Sequence, residues 1–200
     1  MRERAPGRGV RTFVAVQLPE ELRAALGRLQ DRLHVPGIPV KWVEPDLLHL
    51  TLKFLGDVPV ERLDAVFRGV ERAAVRATPF EIVLNGVGAF PNARRPRVVW
   101  VGVSEGADTL ADLAAAVDEA LEIEGFPKEE KPFRSHATLG RVKERSRAVA
   151  ALGAKITAEA PAFEGFRVET IHIMRSTLTR RGPIYRVQRE VALAGGEGSG

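Results

Sequence analysis

The sequence predicts an α+β protein in which antiparallel sheets carry helices on their outer faces. Strand-like and helix-like segments follow one another in mixed order, and successive strands lie close enough along the chain to pair antiparallel. A His-x-Thr-Leu pattern occurs once in each half, at His49 and at His136, which indicates two similar lobes around a central cleft. We expect residues 1–194 to form one two-lobed domain and residues 195–200 to form a flexible tail.

Strands and helices alternate in the first half of the chain. The strands are predicted from β-branched and apolar runs, and the helices from leucines and valines that recur on one helical face. Pro19 opens the first helix, and Gly56 ends the third strand. In order, we predict a strand over 11–18, a helix over 19–33, strands over 40–43 and 48–55, and a helix over 60–76.

The second half is similar, with an additional hairpin at its start. The turn-rich segment 91–96 separates two strand-like runs, and a segment rich in Ala and Leu that ends before Gly125 predicts the strongest helix. In order, we predict strands over 80–90 and 97–104, a helix over 107–123, a strand over 135–142, a helix over 144–158, and strands over 163–175 and 185–193.

Composition excludes several classes of protein. The chain has no Cys, so disulfide scaffolds, Cys-ligated metal sites and thiol nucleophiles are ruled out. No apolar run reaches the roughly 18 residues that span a bilayer, and the N-terminus lacks the apolar stretch of a signal peptide, so we expect a cytoplasmic protein without membrane association. Lys and Arg outnumber Asp and Glu by 30 to 26. Most of the cations are Arg, which favours a phosphate-bearing ligand, although a genome-wide codon bias would give the same composition.

The repeated motif places polar side chains on one face of each strand, because residues i and i+2 of a strand point the same way. In the first copy, strict alternation predicts that Leu48, Leu50, Leu52 and Phe54 are buried and that His49, Thr51 and Lys53 face the cleft. In the second copy, it predicts that Ala137 and Leu139 are buried and that Arg134, His136 and Thr138 face the cleft.

Two imidazoles across a cleft suit hydrolysis of a phosphodiester. One neutral ring accepts a proton from water and the other, protonated, donates one to the leaving oxygen, while Thr hydroxyls bind the phosphate oxygens. A single such motif is more often an edge-strand histidine, and only the duplication favours a catalytic pair. His34 at a helix end, His172 on an apolar strand, and Trp42 and Trp100 are better explained by structure. Neither motif has a carboxylate or second histidine at metal-binding spacing, so we expect no metal.

The motifs give the chain a strong resemblance to a known family. It resembles the two-histidine (2H) phosphoesterase superfamily and, within it, the RNA 2′,3′-cyclic phosphodiesterases, also called 2′-5′ RNA ligases. The resemblance implies a two-lobed fold with an approximate internal twofold axis. The segments that carry it are 13–16, 41–43, 48–56, 133–141, 176–178 and 182–185.

The resemblance also implies a reaction and its site residues. A 2′,3′-cyclic phosphate would be hydrolysed to a 2′-phosphomonoester without cofactor, with His49 as proton donor and His136 as proton acceptor. Thr51 and Thr138 would bind the phosphate, and Arg141 matches a family phosphate-binding arginine. Strict alternation places Arg141 on the buried face unless the strand ends or bulges at Gly140. Arg134 lies on the correct face and is the competing candidate.

The implied partner is RNA that ends in a 2′,3′-cyclic phosphate, with tRNA fragments as one candidate, and the family implies reversible 2′-5′ ligation. Two alternatives remain open. One is a phosphoesterase for small cyclic nucleotides or 2′-5′ oligonucleotides, and the other is a non-catalytic RNA-binding module. Nothing in the sequence indicates oligomerisation, so we expect a monomer.

Overall fold

A single antiparallel sheet organises the chain in the computed structural model, which describes residues 9–143, 149–180 and 182–194. The strands found in these residues are β1 (Val10–Gln17), β2 (Val40–Trp42), β3 (His49–Val58), β4 (Phe80–Phe90), β5 (Val98–Glu105), β6 (His136–Val142), β7 (Phe166–Val168), β8 (Thr170–Thr179) and β9 (Gly182–Ala192). The helices are α1 (Glu20–Leu33), α2 (Leu63–Ala74), α3 (Ala107–Ile123) and α4 (Val149–Ala158). None of the described helices is long and apolar enough to cross a membrane.

The strand order shows the two lobes directly. It runs β7-β4-β5-β6-β3-β1-β8-β9, so the two motif strands, β6 and β3, are at the centre and each is followed outward by three strands of its own lobe. The lobes join where Leu50 of β3 pairs with Ala137 of β6, and β2 pairs with the far part of β6. The predicted two-lobed α+β class is therefore confirmed.

The helices cover one face of this sheet and leave the other face to the cleft. Apolar side chains of all four helices pack with the inward residues of the sheet in one core, and leucines such as Leu26, Leu110 and Leu152 are fully buried there. Each fully buried side chain of this kind contributes roughly 1.5–3 kcal/mol relative to leaving it exposed. On the opposite face, Phe13 and Met174 form a small separate cluster with Tyr185. The packed core on the helix side of the sheet therefore supports the cleft face from behind.

The largest difference from the predicted elements is in the segment 163–175. It is not one strand, because β7 pairs with β4 and β8 pairs with β1, and the chain passes from one lobe to the other at Glu169. The predicted helix over 60–76 begins with a 3₁₀ turn, Val60–Arg62, before α2. The predicted start of the helix at 144 and the predicted tail 195–200 lie outside the described residues, so the extent of the domain to 194 stays a prediction.

A bulge in β3 overturns the predicted orientation of two residues. Ala15 pairs with Thr51 and Val14 with Lys53, so Leu52 is an extra residue on β3. Leu52 and Lys53 both point into the core, at 4% and 2% exposure, and Phe54 is 60% exposed on the cleft side. Strict alternation is therefore wrong at Lys53 and Phe54, because the extra residue reverses the facing of the residues that follow it, and a second register shift between Phe54 and Gly56 ends the reversal.

Buried Lys53 is compensated by an ion pair with Asp118 of α3. Its Nζ also donates a hydrogen bond to the carbonyl of Pro127, at 2.7 Å. The Asp118 carboxylate accepts a further hydrogen bond from the backbone N–H of Glu129. The ion pair connects β3 of one lobe to α3 and the 127–129 segment of the other, and it gives the inward lysine the partner that a buried charge needs.

Candidate active site

The four residues of the two His-x-Thr motifs meet at the junction of the lobes. Leu50 and Ala137 form the central pair and are buried, so their neighbours on both strands point to the opposite face. Antiparallel pairing places His49 beside Thr138 and Thr51 beside His136. All four line one cavity of about 620 Å³.

The two imidazoles are held in the same way. Nδ1 of His49 lies 2.8 Å from the carbonyl oxygen of Leu47, and Nδ1 of His136 lies 2.7 Å from that of Arg134. A carbonyl accepts only, so each Nδ1 carries the proton and each neutral ring has its lone pair on Nε2. Neither Nε2 forms a hydrogen bond to a described residue. Each ring is therefore prepared to accept a proton at Nε2 when neutral or to donate one when charged.

Aromatic side chains fix both rings from the sides. The ring of His49 packs against Phe13 and Tyr185, with centroids 5.0 Å and 5.4 Å away. The ring of His136 meets Phe90 edge-on at 5.2 Å and Trp100 at 6.4 Å. This packing restricts each imidazole to one orientation, which general acid–base catalysis requires.

Burial lowers the pKa of His49. Removal from water lowers the pKa of His49 below its usual 6.5, and the positive charge of protonated His136 lowers it further, while the hydrogen bond to Leu47 opposes both effects. In the free protein His49 is therefore mainly neutral at pH 7. A bound anion between the two rings would favour its protonated form.

A bulge in β6 brings Arg141 into the cavity. Trp100 pairs with Thr138 and Val99 with Gly140, so one residue of β6 is extra between them. Leu139 and Gly140 are both buried, and Arg141 is exposed and lines the cavity. This bulge is the departure from strict alternation that allows Arg141 to face the cavity. The equivalent position of the first motif, five residues after its histidine, is Phe54, which lines the same cavity.

Gly140 is required at this bulge because there is no room for a side chain. A Cβ added there would lie 2.7 Å from the Trp42 ring and 2.9 Å from the Val40 side chain. Arg134, the competing candidate, lies beside the Phe90 ring, which itself packs against His136. Its guanidinium lies 5.6 Å from the centroid of Phe90, and it is not among the residues lining the cavity.

Several cavity residues were not predicted from the sequence. Lys41, Glu44, Phe54 and Tyr185 line it, together with the apolar side chains of Leu178 and Ile184 near the β8–β9 turn. All of these residues except Glu44 belong to segments that carry the family resemblance, which was the available signal for them. Trp42, assigned to the core, is half-buried and also lines the cavity.

The remaining histidines lie away from the cavity, as expected. His172 is 6% exposed, and its Nε2 lies 3.3 Å from the Glu190 carboxylate. His34 follows the end of α1. No group of metal-binding side chains occurs within the residues that the structure describes.

A sheet whose two central, paired strands each present a His and a Thr to one cavity is the arrangement that the resemblance to the two-histidine phosphoesterases implied. The model of the LigT-like phosphoesterase family matches residues 16–100 and 101–185, and the chain belongs to this family. The two matched ranges each contain one His-x-Thr motif, as the internal repeat predicts.

Curated relatives and solved structures agree with this placement. The chain is 40% identical over 179 residues to the RNA 2′,3′-cyclic phosphodiesterase of Methanothermobacter thermautotrophicus, covering 88% of this chain and 95% of that protein. It is 36% identical over 189 residues to the protein of that name from Aquifex aeolicus, covering 93% and 98%. Among structures, TT0787 of Thermus thermophilus superposes with a TM-score of 0.76 at 34% identity, covering 94% and 100%. E. coli LigT complexed with 3′-AMP gives 0.76 at 28% identity, covering 92% and 98%.

Proposed function

We propose that this protein is an RNA 2′,3′-cyclic phosphodiesterase that opens the cyclic phosphate to a 2′-phosphomonoester. The observation that carries the proposal is the pair of imidazoles in one cavity, each with Nδ1 hydrogen-bonded to a backbone carbonyl and with no partner for Nε2 among the described residues. Relatives that bear this activity in their names, at up to 41% identity over most of the chain, support it.

The proposed reaction needs two proton transfers. Neutral His136 accepts a proton at Nε2 from the attacking water, whose oxygen forms a new bond to phosphorus. The bond from phosphorus to O3′ breaks in line, and protonated His49 donates its Nε2 proton to O3′. Proton exchange with solvent then restores both rings. Each transfer typically accelerates such a step by about 10²–10⁴-fold.

The lowered pKa of His49 is compatible with its assignment as donor, which comes from the family resemblance. Once protonated, an imidazole of low pKa is a stronger acid and transfers its proton more readily to a leaving alkoxide. The negative substrate supplies the charge that stabilises this protonated form. The opposite assignment, with His136 as donor, is tested by the rates of the two histidine variants on a substrate with a good leaving group.

Thr51, Thr138 and Arg141 are the proposed phosphate-binding residues. The threonine hydroxyls lie beside the histidines and can donate hydrogen bonds to the non-bridging oxygens, on which negative charge grows in the transition state. Arg141 adds a fixed positive charge with several N–H donors. With a 5′-hydroxyl in place of water, the same arrangement would form a 2′-5′ linkage, which is the proposed ligase activity.

The direct test is hydrolysis of a short RNA ending in a 2′,3′-cyclic phosphate, with EDTA present, followed by assignment of the phosphate position in the product. We expect a 2′-phosphate. Turnover of small cyclic nucleotides but not RNA would contradict the RNA assignment, and RNA binding without any turnover would indicate a binding module. Loss of turnover in EDTA would contradict the expected independence of metal. Three further expectations stay predictions. Gel filtration tests the monomeric state, cell fractionation tests the cytoplasmic location, and sequencing of the substrates tests whether they are tRNA fragments.

A further inference from the structure

Two cations face each other across the β2–β6 strand pair. Lys41 is the middle residue of β2 and pairs in register with Arg141 of β6. Directly paired residues of antiparallel strands have side chains on the same face. Both residues are exposed, and both line the cavity that holds the histidines.

This arrangement has no stabilising partner within the described part of the protein. Like charges directly opposite each other on a sheet destabilise it. Neither cation forms an ion pair or a side-chain hydrogen bond with a described residue. Glu44 lines the same cavity, but no ion pair joins it to Lys41 or Arg141. A pair of unneutralised cations on a cavity wall is therefore better explained by an anionic ligand than by stability.

The fold fixes the pair in place. The bulge in β6 turns Arg141 toward the cavity, and it depends on Gly140, against which Trp42 and Val40 pack. These two residues are the neighbours of Lys41 in β2. The contacts that shape the bulge therefore also hold Lys41 opposite Arg141.

The number of charges exceeds what the reacting group requires. A cyclic phosphodiester carries one negative charge, and a protonated histidine, two threonine hydroxyls and Arg141 already serve it. Arg141 has five N–H donors and can contact more than one phosphate. Lys41 is therefore available to bind a second anion. In an RNA strand, the nearest second anion is the phosphodiester one nucleotide toward the 5′ end, which a mononucleotide lacks.

We propose that Lys41, together with Arg141, binds the phosphodiester preceding the cyclic phosphate, so that the site favours RNA 3′ ends over cyclic mononucleotides. This inference rests on the proposed function and assigns Lys41 a part in substrate selection. It predicts that removal of the Lys41 charge weakens binding of RNA and leaves the chemical step intact.

The experiment compares wild type, Lys41→Gln, Lys41→Arg and Arg76→Gln. Arg76 is an exposed cation just after α2 and outside the cavity lining, so it controls for the loss of one charge. Each protein is assayed on a short RNA with a 2′,3′-cyclic phosphate end and on the corresponding nucleoside 2′,3′-cyclic phosphate. For Lys41→Gln we expect KM on RNA to rise by about ten-fold with kcat unchanged, as for a lost charge-assisted hydrogen bond. Its kcat/KM on the mononucleotide should stay at the wild-type value.

Salt dependence supplies a second readout. Loss of one phosphate contact should reduce the slope of log affinity against log salt by about 0.7 for a single strand. Lys41→Arg should retain the wild-type preference, and Arg76→Gln should resemble wild type. Equal losses on both substrates, or no loss on RNA, would overturn the inference.

A binding arm separates this inference from the proposed function. If wild type hydrolyses neither substrate, the proposed function fails, and calorimetric binding of a short RNA ending in a 2′-phosphate decides the inference alone. Lys41→Gln should then bind this RNA more weakly than wild type and bind the nucleoside 2′-phosphate equally well. Unchanged RNA binding would refute the second phosphate site.

Discussion

The buried ion pair between Lys53 and Asp118 allows a quantitative test of the fold that supports the site. The side chains are 2% and 12% exposed, and the remaining polar contacts are the Pro127 carbonyl on the lysine and the Glu129 N–H on the carboxylate. Asp118→Ala would leave the ammonium buried with one carbonyl. Breaking a buried pair in this way typically costs about 3–5 kcal/mol, a large part of the roughly 5–15 kcal/mol that stabilises a domain.

The double variant Lys53→Met/Asp118→Ala separates charge from packing. Met retains an unbranched apolar stem of similar length and removes the uncompensated ammonium. We expect the double variant to recover about 2 kcal/mol or more relative to Asp118→Ala, because replacing both ions is far less costly than leaving one alone. The free energy of unfolding is measured by urea denaturation followed by far-ultraviolet circular dichroism. A loss below about 1 kcal/mol in Asp118→Ala, or a further loss in the double variant, would refute this reasoning.

Three further predictions concern the site itself. Gly140→Ala should cost about 1–3 kcal/mol in urea denaturation and lower kcat/KM, because its Cβ would lie 2.7 Å from the Trp42 ring; unchanged values would contradict the account of the bulge. The pKa of His49, followed by NMR of its ring protons, should lie below 6.5 and rise in His136→Ala, since a neighbouring positive charge is removed; a fall would show the opposite coupling. His49→Ala should recover much of its lost rate on a phosphodiester with a good leaving group, which needs no proton, whereas His136→Ala should not; the reverse pattern would exchange the donor and acceptor.

The repeated motif made the centre of the molecule predictable. Alternation with a period of two places His49 and Thr51 on one face of a strand, and the second copy does the same for His136 and Thr138. Because the motif occurs in two similar halves of the chain, the sequence favours two strands that face each other across one cleft. In the structure the two strands do not face each other across the cleft but are neighbours in one sheet, paired at Leu50 and Ala137, and this pairing brings all four side chains to one cavity.

The bulges limited what alternation could predict. A single extra residue in β3 reversed the direction in which the Lys53 and Phe54 side chains point. This reversal depends on the pairing with β1 and on the ion pair with Asp118, which the alternation of a single strand does not contain. In β6 the glycine at 140 was a visible signal, so a bulge that would admit Arg141 could be anticipated there.

Long-range pairing was the other limit. The segment 163–175 around Glu169 resembles one strand, although its two parts pair with strands of different lobes. Lys41 lies in the segment 41–43 that carries the family resemblance, but a three-residue strand does not specify its partner. Its position opposite Arg141 depends on the pairing of β2 with β6.

The most direct test of the central claim is the rate at which His49→Ala and His136→Ala hydrolyse an RNA 2′,3′-cyclic phosphate, relative to His34→Ala. His34 is exposed after α1 and controls for the substitution itself. The account predicts that each site variant loses at least about 10²-fold in kcat, with its circular dichroism spectrum unchanged, and that His34→Ala keeps the wild-type rate. A site variant that folds and retains activity within a few-fold of wild type would contradict two-histidine catalysis in this cavity.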